Sequence, residues 1–410
     1  MSKTKVIEFV TSVQDGGAET LVKDYALLMD KERFDVTVVV VHDMNTSANW
    51  KRLQEGGIRI IPLSSQDDLL KRIWRWIFWR KEQTAIASEE VKEKPVLPGC
   101  TYEKTGFLRR CRNNVRNFYF GLRFLRILDQ TGATVVHGHL DVLRCLQMVS
   151  PFLKDIRLIH TCHALPELIY EGEEGLAADY LIKHNGLQLV ALHGEMAKQM
   201  DIMFPGQKTA VIRNGINMDL FRNPGITRDD KRRELGIPAD TYVVGHVGRF
   251  TPEKNHTFLV DVFAEIVKQR PNAYLLMIGV EDPSFVVEKL HRLGLQDRYQ
   301  ILSHRKDINE LLAAMDVFVF PSIFEGFPVS LIEAQAAGLR CIVSDRCPEA
   351  VIRLETCIPM PLEAPEKWAE TALNPQMKRD TALDLDQYDM NREIRRLEQL
   401  YLGQLNEIID

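Results

Sequence analysis

Several common site and targeting signals are absent from this sequence of 410 residues. Its seven cysteines include no Cys-x-x-Cys pair, which argues against a zinc site and against a disulfide framework. No apolar run approaches the length of a membrane-spanning helix. The first residues lead directly into a strand pattern, so we expect no signal peptide. These absences indicate reduced thiols and a cytoplasmic location.

The composition and the order of patterns indicate an α/β protein. A hydrophobic content of 45% with 27% charged residues is typical of globular chains, and the length predicts two domains. Short apolar runs alternate with helical patterns along the sequence, which favours βαβ units and two parallel sheets covered by helices on both faces. The alternation breaks near Asn223-Pro224-Gly225, where we place a domain boundary.

An acidic pair, Glu325 and Glu333, flanks a turn in the C-terminal half. The segment from Asp316 to Phe320 predicts a strand, and the segment from Val329 to Ala337 predicts a helix. Glu325 therefore lies in the connecting loop. A carboxylate accepts paired hydrogen bonds from vicinal hydroxyls, and a helix start favours phosphate. The pattern predicts a sugar-nucleotide site made by this pair and the turn residues Gly326, Phe327, Pro328 and Val329.

Two basic residues follow an apolar strand pattern further upstream. Arg249 and Lys254 lie beside a glycine turn at Gly248 and just before an amphipathic helix that runs to about Arg270. A guanidinium fork and an ammonium can neutralise a diphosphate, while glycine lets the backbone approach it closely. The segment predicts a diphosphate-binding loop.

The stretch from about Val243 to Asp345 resembles the C-terminal domain of retaining GT-B glycosyltransferases of family 4 (group 1), of the bacterial exopolysaccharide and capsule type. The resemblance implies that the two basic residues hold the donor diphosphate. It also implies that the acidic pair holds the donor sugar and the ribose.

The same resemblance implies a domain plan. We expect two doubly wound Rossmann-like domains that face each other across a cleft. Residues 1–221 would bind the acceptor and residues 222–390 the nucleotide sugar, while a helix within 391–410 would cross back to the first domain.

Further segments resemble the family more thinly. Gly16 and Gly17 open a helix after the first strand, as does the family loop that faces the diphosphate across the cleft. His163 resembles the histidine that reaches the donor hexose, so His163 and Glu325 are the catalytic candidates. Arg305 lies in a loop of the kind that surrounds the base and acceptor, and we include it among the donor-binding residues. Other histidines at strand ends are interpreted as satisfied polar residues, namely His137, His139 and His160.

Residues 71–126 are basic within an acidic chain. They contain fourteen Lys or Arg and five Glu, a net charge of +9, whereas the whole chain carries −5. On a helical wheel Arg109, Arg112, Arg116 and Arg123 share one side, and apolar residues share another. An anionic membrane surface and an ordinary amphipathic helix packed on the sheet explain this equally well. We expect no nucleic acid partner, because no recognition motif accompanies the charge. Three tryptophans belong to the same region, namely Trp74, Trp76 and Trp79.

The sequence predicts transfer chemistry without a metal or a cofactor. The clear Asp-x-Asp, Asp384-Leu385-Asp386, follows no strand, so the diphosphate charge would be held by the basic residues, the glycine loop and the amides of the turn. We expect a UDP-sugar rather than a GDP-sugar as donor, with a hexose or N-acetylhexosamine moving to a glycan or polyprenyl-diphosphate-linked acceptor. Two alternatives stay open: a GT-B sugar-nucleotide epimerase, and a non-catalytic sugar-nucleotide or membrane-binding module.

Overall fold

The structure is a computed structural model of the chain. It describes residues 3–14, 16–43, 45–64, 107–353, 355–374 and 385–405, and for residues 107–113 it describes the backbone alone. The tryptophan cluster lies outside the described residues, as does Asp384. The part of the basic region that precedes residue 107 also lies outside them.

Thirteen strands of the described residues form two parallel sheets, which confirms the α/β prediction. The first sheet has the order β3-β2-β1-β4-β5-β6-β7, and the second has the order β10-β9-β8-β11-β12-β13. Their strands are β1 Thr4–Val10, β2 Phe34–His42, β3 Arg59–Ser64, β4 Val135–His139, β5 Arg157–Thr161, β6 Gln188–Ala191, β7 Ala210–Val211, β8 Tyr242–Val247, β9 Ala273–Ile278, β10 Tyr299–Leu302, β11 Val317–Phe320, β12 Arg340–Ser344 and β13 Cys357–Met360.

Helices connect most of these strands, as crossovers between parallel strands require. The described α-helices are α1 Gly17–Leu28, α2 Ala48–Glu55, α3 Phe107–Thr131, α4 Leu143–Met148, α5 Pro166–Ile169, α6 Glu173–Asn185, α7 Gly194–Met203, α8 Met218–Arg222, α9 Arg228–Leu235, α10 His256–Gln269, α11 Ser284–Arg292, α12 Ile308–Ala314, α13 Val329–Ala336, α14 Pro365–Leu373 and α15 Met390–Leu402.

The chain divides into two compact units. One consists of Met1–His160 and Tyr170–Leu187, and the other of Thr161–Ile169 and Gln188–Asp410. The domain limits expected at residues 221 and 390 stay predictions.

Each sheet buries apolar strands from both faces, as the unbroken Val, Ile and Phe runs require. In the second unit the core surrounds β8, β9 and β11 and includes Phe263 on α10 and Trp368 on α14. The indole of Trp368 donates a hydrogen bond of 2.8 Å to the Pro361 carbonyl, so its polar group is satisfied. This packing fixes the strand ends from which the candidate site is built.

Helix α15 is shorter than the sequence pattern indicated. The predicted helix ran from Asn391 to Ile408, whereas the structure ends it at Leu402. Gly403 follows with a φ of 70° and donates its amide to Leu400 at 3.1 Å, the left-handed ending that glycine favours. The last part of the predicted helix, from residue 406 onward, lies outside the described residues.

Candidate functional site

The order of the second sheet reverses between β8 and β11. The chain runs outward from β8 through β9 to β10, then returns to place β11 on the other side of β8. Ligands of open parallel sheets bind beyond the carboxyl ends of the two strands at such a point. Arg249 and Lys254 follow β8, and Glu325 follows β11, so the topology brings these predicted residues to one place.

Lys254 and Glu325 form a direct ion pair. Their Nζ and Oε1 atoms lie 2.6 Å apart, and the side chains are only 14% and 11% exposed. The Lys254 ammonium also lies 5.1 Å from the centre of the Phe320 ring. The two loops are joined by their backbones as well, because Ile323 N–H donates to the Glu253 carbonyl at 2.8 Å. A mostly buried cation therefore lies next to a carboxylate that can accept hydrogen bonds from hydroxyl groups.

Arg249 follows the same strand as Lys254 and is more exposed than the ion pair. Its side chain is 54% exposed, with nitrogen atoms 3.3 Å from Glu253 and 3.6 Å from Glu281. Exposed pairs of this kind are weak because water and salt screen them. The guanidinium can therefore leave these acids for an incoming anion at little cost.

The turn at Gly326 is packed closely against a second loop of the same unit. A Cβ on Gly326 would lie 3.0 Å from Ala164 Cα and 3.2 Å from the His163 carbonyl, so a larger residue would push the loops apart. This contact brings the backbone of His163 to the turn that carries Glu325. The imidazole of His163 is half-buried.

His193 was missed by the sequence reasoning. It follows β6 and caps α7, where its ring accepts a hydrogen bond from the Met196 amide at 3.3 Å. The same ring is hydrogen-bonded to the backbone of Gly326. Desolvation lowers its pKa. The position of His193 after an apolar strand and before a helix could have marked it.

Helix α13 begins directly after the turn. Its N-cap residue, Pro328, provides no side-chain hydrogen bond, and its first turn holds no acidic residue. The amides of Val329 and Ser330 therefore start a helix that can accept an anionic or hydroxyl-rich ligand. The Phe327 ring packs beside Tyr388 with centroids 5.9 Å apart, which anchors the turn on its other side.

Glu333 lies one turn further along α13. It is half-buried, and desolvation by burial raises the pKa of its carboxyl to about 7. A carboxyl with this pKa changes between donor and acceptor near neutral pH. Its placement on the helix behind Glu325 agrees with the spacing read from the sequence.

Arg305 is held at the edge of the sheet. It follows β10, and its guanidinium nitrogens lie 2.7 and 2.5 Å from the two carboxylate oxygens of Asp307. This partner holds the pKa of Asp307 below its usual value. Glu234 lies 3.7 Å away on the other side. The observed contacts of Arg305 are thus structural, and its donor-binding role stays a prediction.

The glycine loop belongs to the first unit. Gly16 is the N-cap of α1, with extended backbone angles and no side-chain cap of its own. Asn49 fixes the approach to this loop, because its amide donates to the Gln14 carbonyl at 2.7 Å and to Thr20 Oγ1 at 3.1 Å. A Cβ on Gly16 would collide with the carboxylate of Glu19, whereas one on Gly17 would meet nothing within 4 Å. The predicted helix start is therefore present, with an acidic side chain folded over it.

Residues 227–355 match the sequence profile of the family described as Glycosyl transferases group 1. The segment contains every predicted site residue of the second unit except His163.

Two relatives with known names are similar over part of the chain. A protein named as a glycosyltransferase, EpsF of Bacillus subtilis strain 168, is 37% identical over 169 residues, which cover 40% of this chain and 44% of EpsF. The UDP-Gal:alpha-D-GlcNAc-diphosphoundecaprenol alpha-1,3-galactosyltransferase of Escherichia coli is 27% identical over 254 residues, covering 57% of this chain and 64% of that protein. The chain spans about half the length of the relatives it matches.

Among solved structures, Anabaena HepE in complex with UDP and glucose is similar with a TM-score of 0.69 and 18% identity. The match covers 98% of this chain and 100% of HepE, and at this identity it is evidence for the fold alone. Together with the two parallel sheets, these findings indicate a GT-B fold in which residues 227–355 are similar to group 1 glycosyl transferases.

Proposed function

We propose that the protein transfers a hexose or N-acetylhexosamine from a nucleotide diphosphate sugar to a glycan or lipid-linked acceptor in polysaccharide biosynthesis. The observation that carries this proposal is the Lys254–Glu325 pair, set at the strand-order reversal within the group 1 domain. A UDP-sugar is the favoured donor, since the named galactosyltransferase relative uses UDP-Gal and the HepE structure contains UDP.

In this proposal each group has one task. Lys254 turns from Glu325 to the diphosphate, with Arg249 as a second cation, and Glu325 then accepts hydrogen bonds from sugar hydroxyls. The amides of Phe327 to Val329 add donors to the departing phosphate. Glu333 binds the ribose, and His163 contacts the hexose.

The reaction replaces one glycosidic bond with another. The bond from the anomeric carbon to the phosphate oxygen breaks, and a bond from the acceptor oxygen to the same carbon forms on the same face, with retention. The acceptor proton passes to the departing phosphate oxygen. Arginine, lysine and helix amides hold the growing charge, so neither Mg²⁺ nor Mn²⁺ is needed on the diphosphate.

The exposed side chains of helix α3 are an argument for a lipid-linked acceptor. Its buried side contains Phe120, Phe124 and Ile127, and Phe124 stacks on Phe9 at 4.7 Å. The apolar stripe predicted from the helical wheel lies on a different side of the helix. It stays exposed through Val115, Phe118 and Leu122, at 54%, 49% and 47%.

This exposed stripe lies beside basic side chains, including the exposed Arg116 and Arg126. Apolar contact together with positive charge can hold a protein reversibly on an anionic leaflet. We therefore propose that α3 places the enzyme on a membrane that presents a polyprenyl-diphosphate-linked acceptor. No helix within the described residues is both long and apolar enough to cross a membrane.

An assay of UDP release tests the proposed transfer and separates it from the alternatives. The protein is supplied with UDP-galactose, UDP-glucose or UDP-N-acetylglucosamine, with and without a short-chain polyprenyl-diphosphate-linked N-acetylhexosamine. Transfer predicts UDP only when the acceptor is present, together with a heavier lipid product. Conversion of the UDP-sugar to its epimer without net release of UDP would indicate an epimerase, and binding without turnover would indicate a non-catalytic module.

The same assay is run on chelator-washed protein, before and after Mg²⁺ or Mn²⁺ is added. We expect an unchanged rate. A strict requirement for either ion would overturn the proposed diphosphate clamp.

A further inference from the structure

Three chemically active side chains meet inside the first unit, and none of them is among the predicted donor-binding residues. Glu8 lies on β1, and His137 and His139 lie on β4. All three are fully buried. Glu8 is directly opposite His137 in the register of the two strands, and His139 is on the same face because side chains two apart share a face. The cluster lies where the order of the first sheet reverses, between β1 and β4.

The ligating atoms of the three side chains converge. Oε2 of Glu8 lies 2.8 Å from Nε2 of His139 and 3.4 Å from Nδ1 of His137, and all three ligand atoms lie within 4.8 Å of one another. The two imidazole centres are 4.1 Å apart. The ring of Tyr25, on α1, covers both at 6.1 and 6.3 Å.

Two imidazoles and one carboxylate form a donor set that suits Zn²⁺ and its neighbours in the first transition row. A metal-binding imidazole must be unprotonated, and the complete burial of both imidazoles disfavours their charged form. Strands also hold the three groups without the ordering cost of a loop.

The separations of Glu8 from the two imidazoles lie near those expected around such an ion. Bonds of about 2.0 to 2.2 Å place neighbouring ligands of a tetrahedral ion about 3.4 Å apart. The separation of Glu8 and His137 already has this value. The 2.8 Å contact of Glu8 with His139 is a hydrogen-bond length, so the ion would replace that bond and widen the gap by roughly half an ångström.

We propose that Glu8, His137 and His139 bind one divalent transition-metal ion, with Zn²⁺ as the favoured ion. The ion would cross-link β1 to β4 beneath Tyr25 of α1, the helix that begins at the Gly16–Gly17 loop. Its role is structural and concerns the first unit. The diphosphate is a different ligand, for which hard oxygen-seeking ions such as Mg²⁺ are the relevant test.

The metal content of the purified full-length chain tests the proposal. We expect inductively coupled plasma mass spectrometry to detect one Zn²⁺ per chain. After removal of the metal with a chelator, one equivalent of Co²⁺ should give the visible absorption of a tetrahedral nitrogen and oxygen site, and Zn²⁺ should raise the melting temperature of the metal-free protein.

Substitutions of the proposed ligands test where the ion binds. His139→Gln and Glu8→Gln should lower the affinity for Zn²⁺ by at least about tenfold. His160→Gln is the matched control, because this buried histidine hydrogen-bonds to Tyr170 and to the Leu140 carbonyl, both at 2.9 Å, rather than to the cluster. It should retain the metal.

Either of two results would overturn the proposal. One is wild-type protein that contains less than roughly a tenth of an equivalent of metal and shows no Co²⁺ absorption. The other is a His139→Gln protein that keeps its metal. If the variants do not fold, the Co²⁺ spectrum of the wild-type chain decides alone. None of these measurements depends on sugar transfer, so they fail or succeed independently of the proposed function.

Discussion

At the scale of single residues, the Lys254–Glu325 pair carries most of the proposed chemistry. Lys254→Ala removes the cation that would meet the growing charge of the diphosphate. A preorganised donor of this kind contributes about 10²-fold to 10³-fold in kcat. We therefore expect kcat to fall by at least about 10²-fold, with a smaller rise in the KM for the donor.

Steady-state kinetics and donor titration calorimetry measure the two effects of Lys254→Ala separately. Lys268→Ala is the control, because Lys268 forms an exposed pair with Glu265 at 2.6 Å on the outer part of α10. An unchanged kcat in Lys254→Ala would remove this residue from the site.

A second residue-scale prediction concerns pH. Burial raises the pKa of Glu333 from 4.5 to about 7, so its carboxyl ionises as the pH rises through neutrality. The ionised form accepts both hydrogen bonds of a ribose. We expect the KM for the donor to fall between about pH 6 and pH 8 and the Glu333→Gln variant to lose this change.

The same shift has a stability consequence of known sign. Because the folded chain binds this proton more tightly than the unfolded chain, stability from this group falls as the pH rises from about 4.5 to about 7. Glu333→Gln should therefore flatten the loss of melting temperature over this window. A wild-type KM that does not vary with pH would contradict the ribose assignment.

At the scale of elements, the start of α15 is fixed by its contact with the segment before α8. Ile216 N–H donates to the Tyr388 carbonyl at 2.8 Å, and Met390 N–H donates to the Ile216 carbonyl at 3.0 Å. Glu393 accepts a further bond from the Arg213 amide at 2.8 Å. A Cβ on Gly215 would lie 2.5 Å from Met390 Cα, so only glycine fits here.

Gly215→Ala is expected to destabilise the chain by about 1–3 kcal/mol, because two backbones would have to separate. Chemical denaturation measures this loss. Gly17→Ala provides the comparison, since the added methyl has open space and alanine favours a helix start. Equal stability of the two variants would mean that the two backbones at the α15 contact can separate at little cost in free energy.

Helix α3 gives the second prediction at this scale. Phe118→Ser and Leu122→Ser together should abolish sedimentation with anionic vesicles at low salt while leaving the melting temperature unchanged, because both side chains are about half exposed. Leu293→Ser, at the exposed C-cap position just after α11, is the control. Wild-type binding should weaken as salt screens the arginines.

Two outcomes would count against membrane attachment by this helix. One is the absence of vesicle binding by the wild-type chain at low salt. The other is binding that the paired substitution does not change.

Local pattern predicted the elements around the site well, and for a physical reason. The strand before Glu325, the turn and α13 are each specified by neighbouring residues, namely a short apolar run, Gly326 with Pro328, and helical spacing. The sequence also predicted the apolar stripe of α3, but it did not predict that this stripe stays exposed. The helix has a second apolar side, and tertiary packing chose Phe120 and Phe124 for the core.

At the scale of the whole molecule, long-range pairing limited the prediction from sequence. Lys254 and Glu325 were each predicted from local signals, yet their ion pair joins residues 71 apart. His193 reaches Gly326, and Glu8 reaches His139, over still longer stretches of chain. Such contacts depend on strand order, which periodicity does not encode. The glycine loop and Arg305 keep the roles expected from the family resemblance as predictions.

A whole-molecule measurement can test the donor preference, because a ligand that binds only the folded chain stabilises it. At 100 times its dissociation constant the gain is about 2.7 kcal/mol, enough to raise the melting temperature by several degrees. We expect UDP and UDP-sugars to produce this shift in chelator-washed protein, and GDP-sugars to produce a smaller one. Arg249→Ala should reduce the shift, since its exposed guanidinium is free to turn from Glu253 to the diphosphate. A larger shift with GDP-sugars would reverse the assigned base, and a shift that appears only with Mg²⁺ would show that metal, rather than arginine and lysine, neutralises the donor.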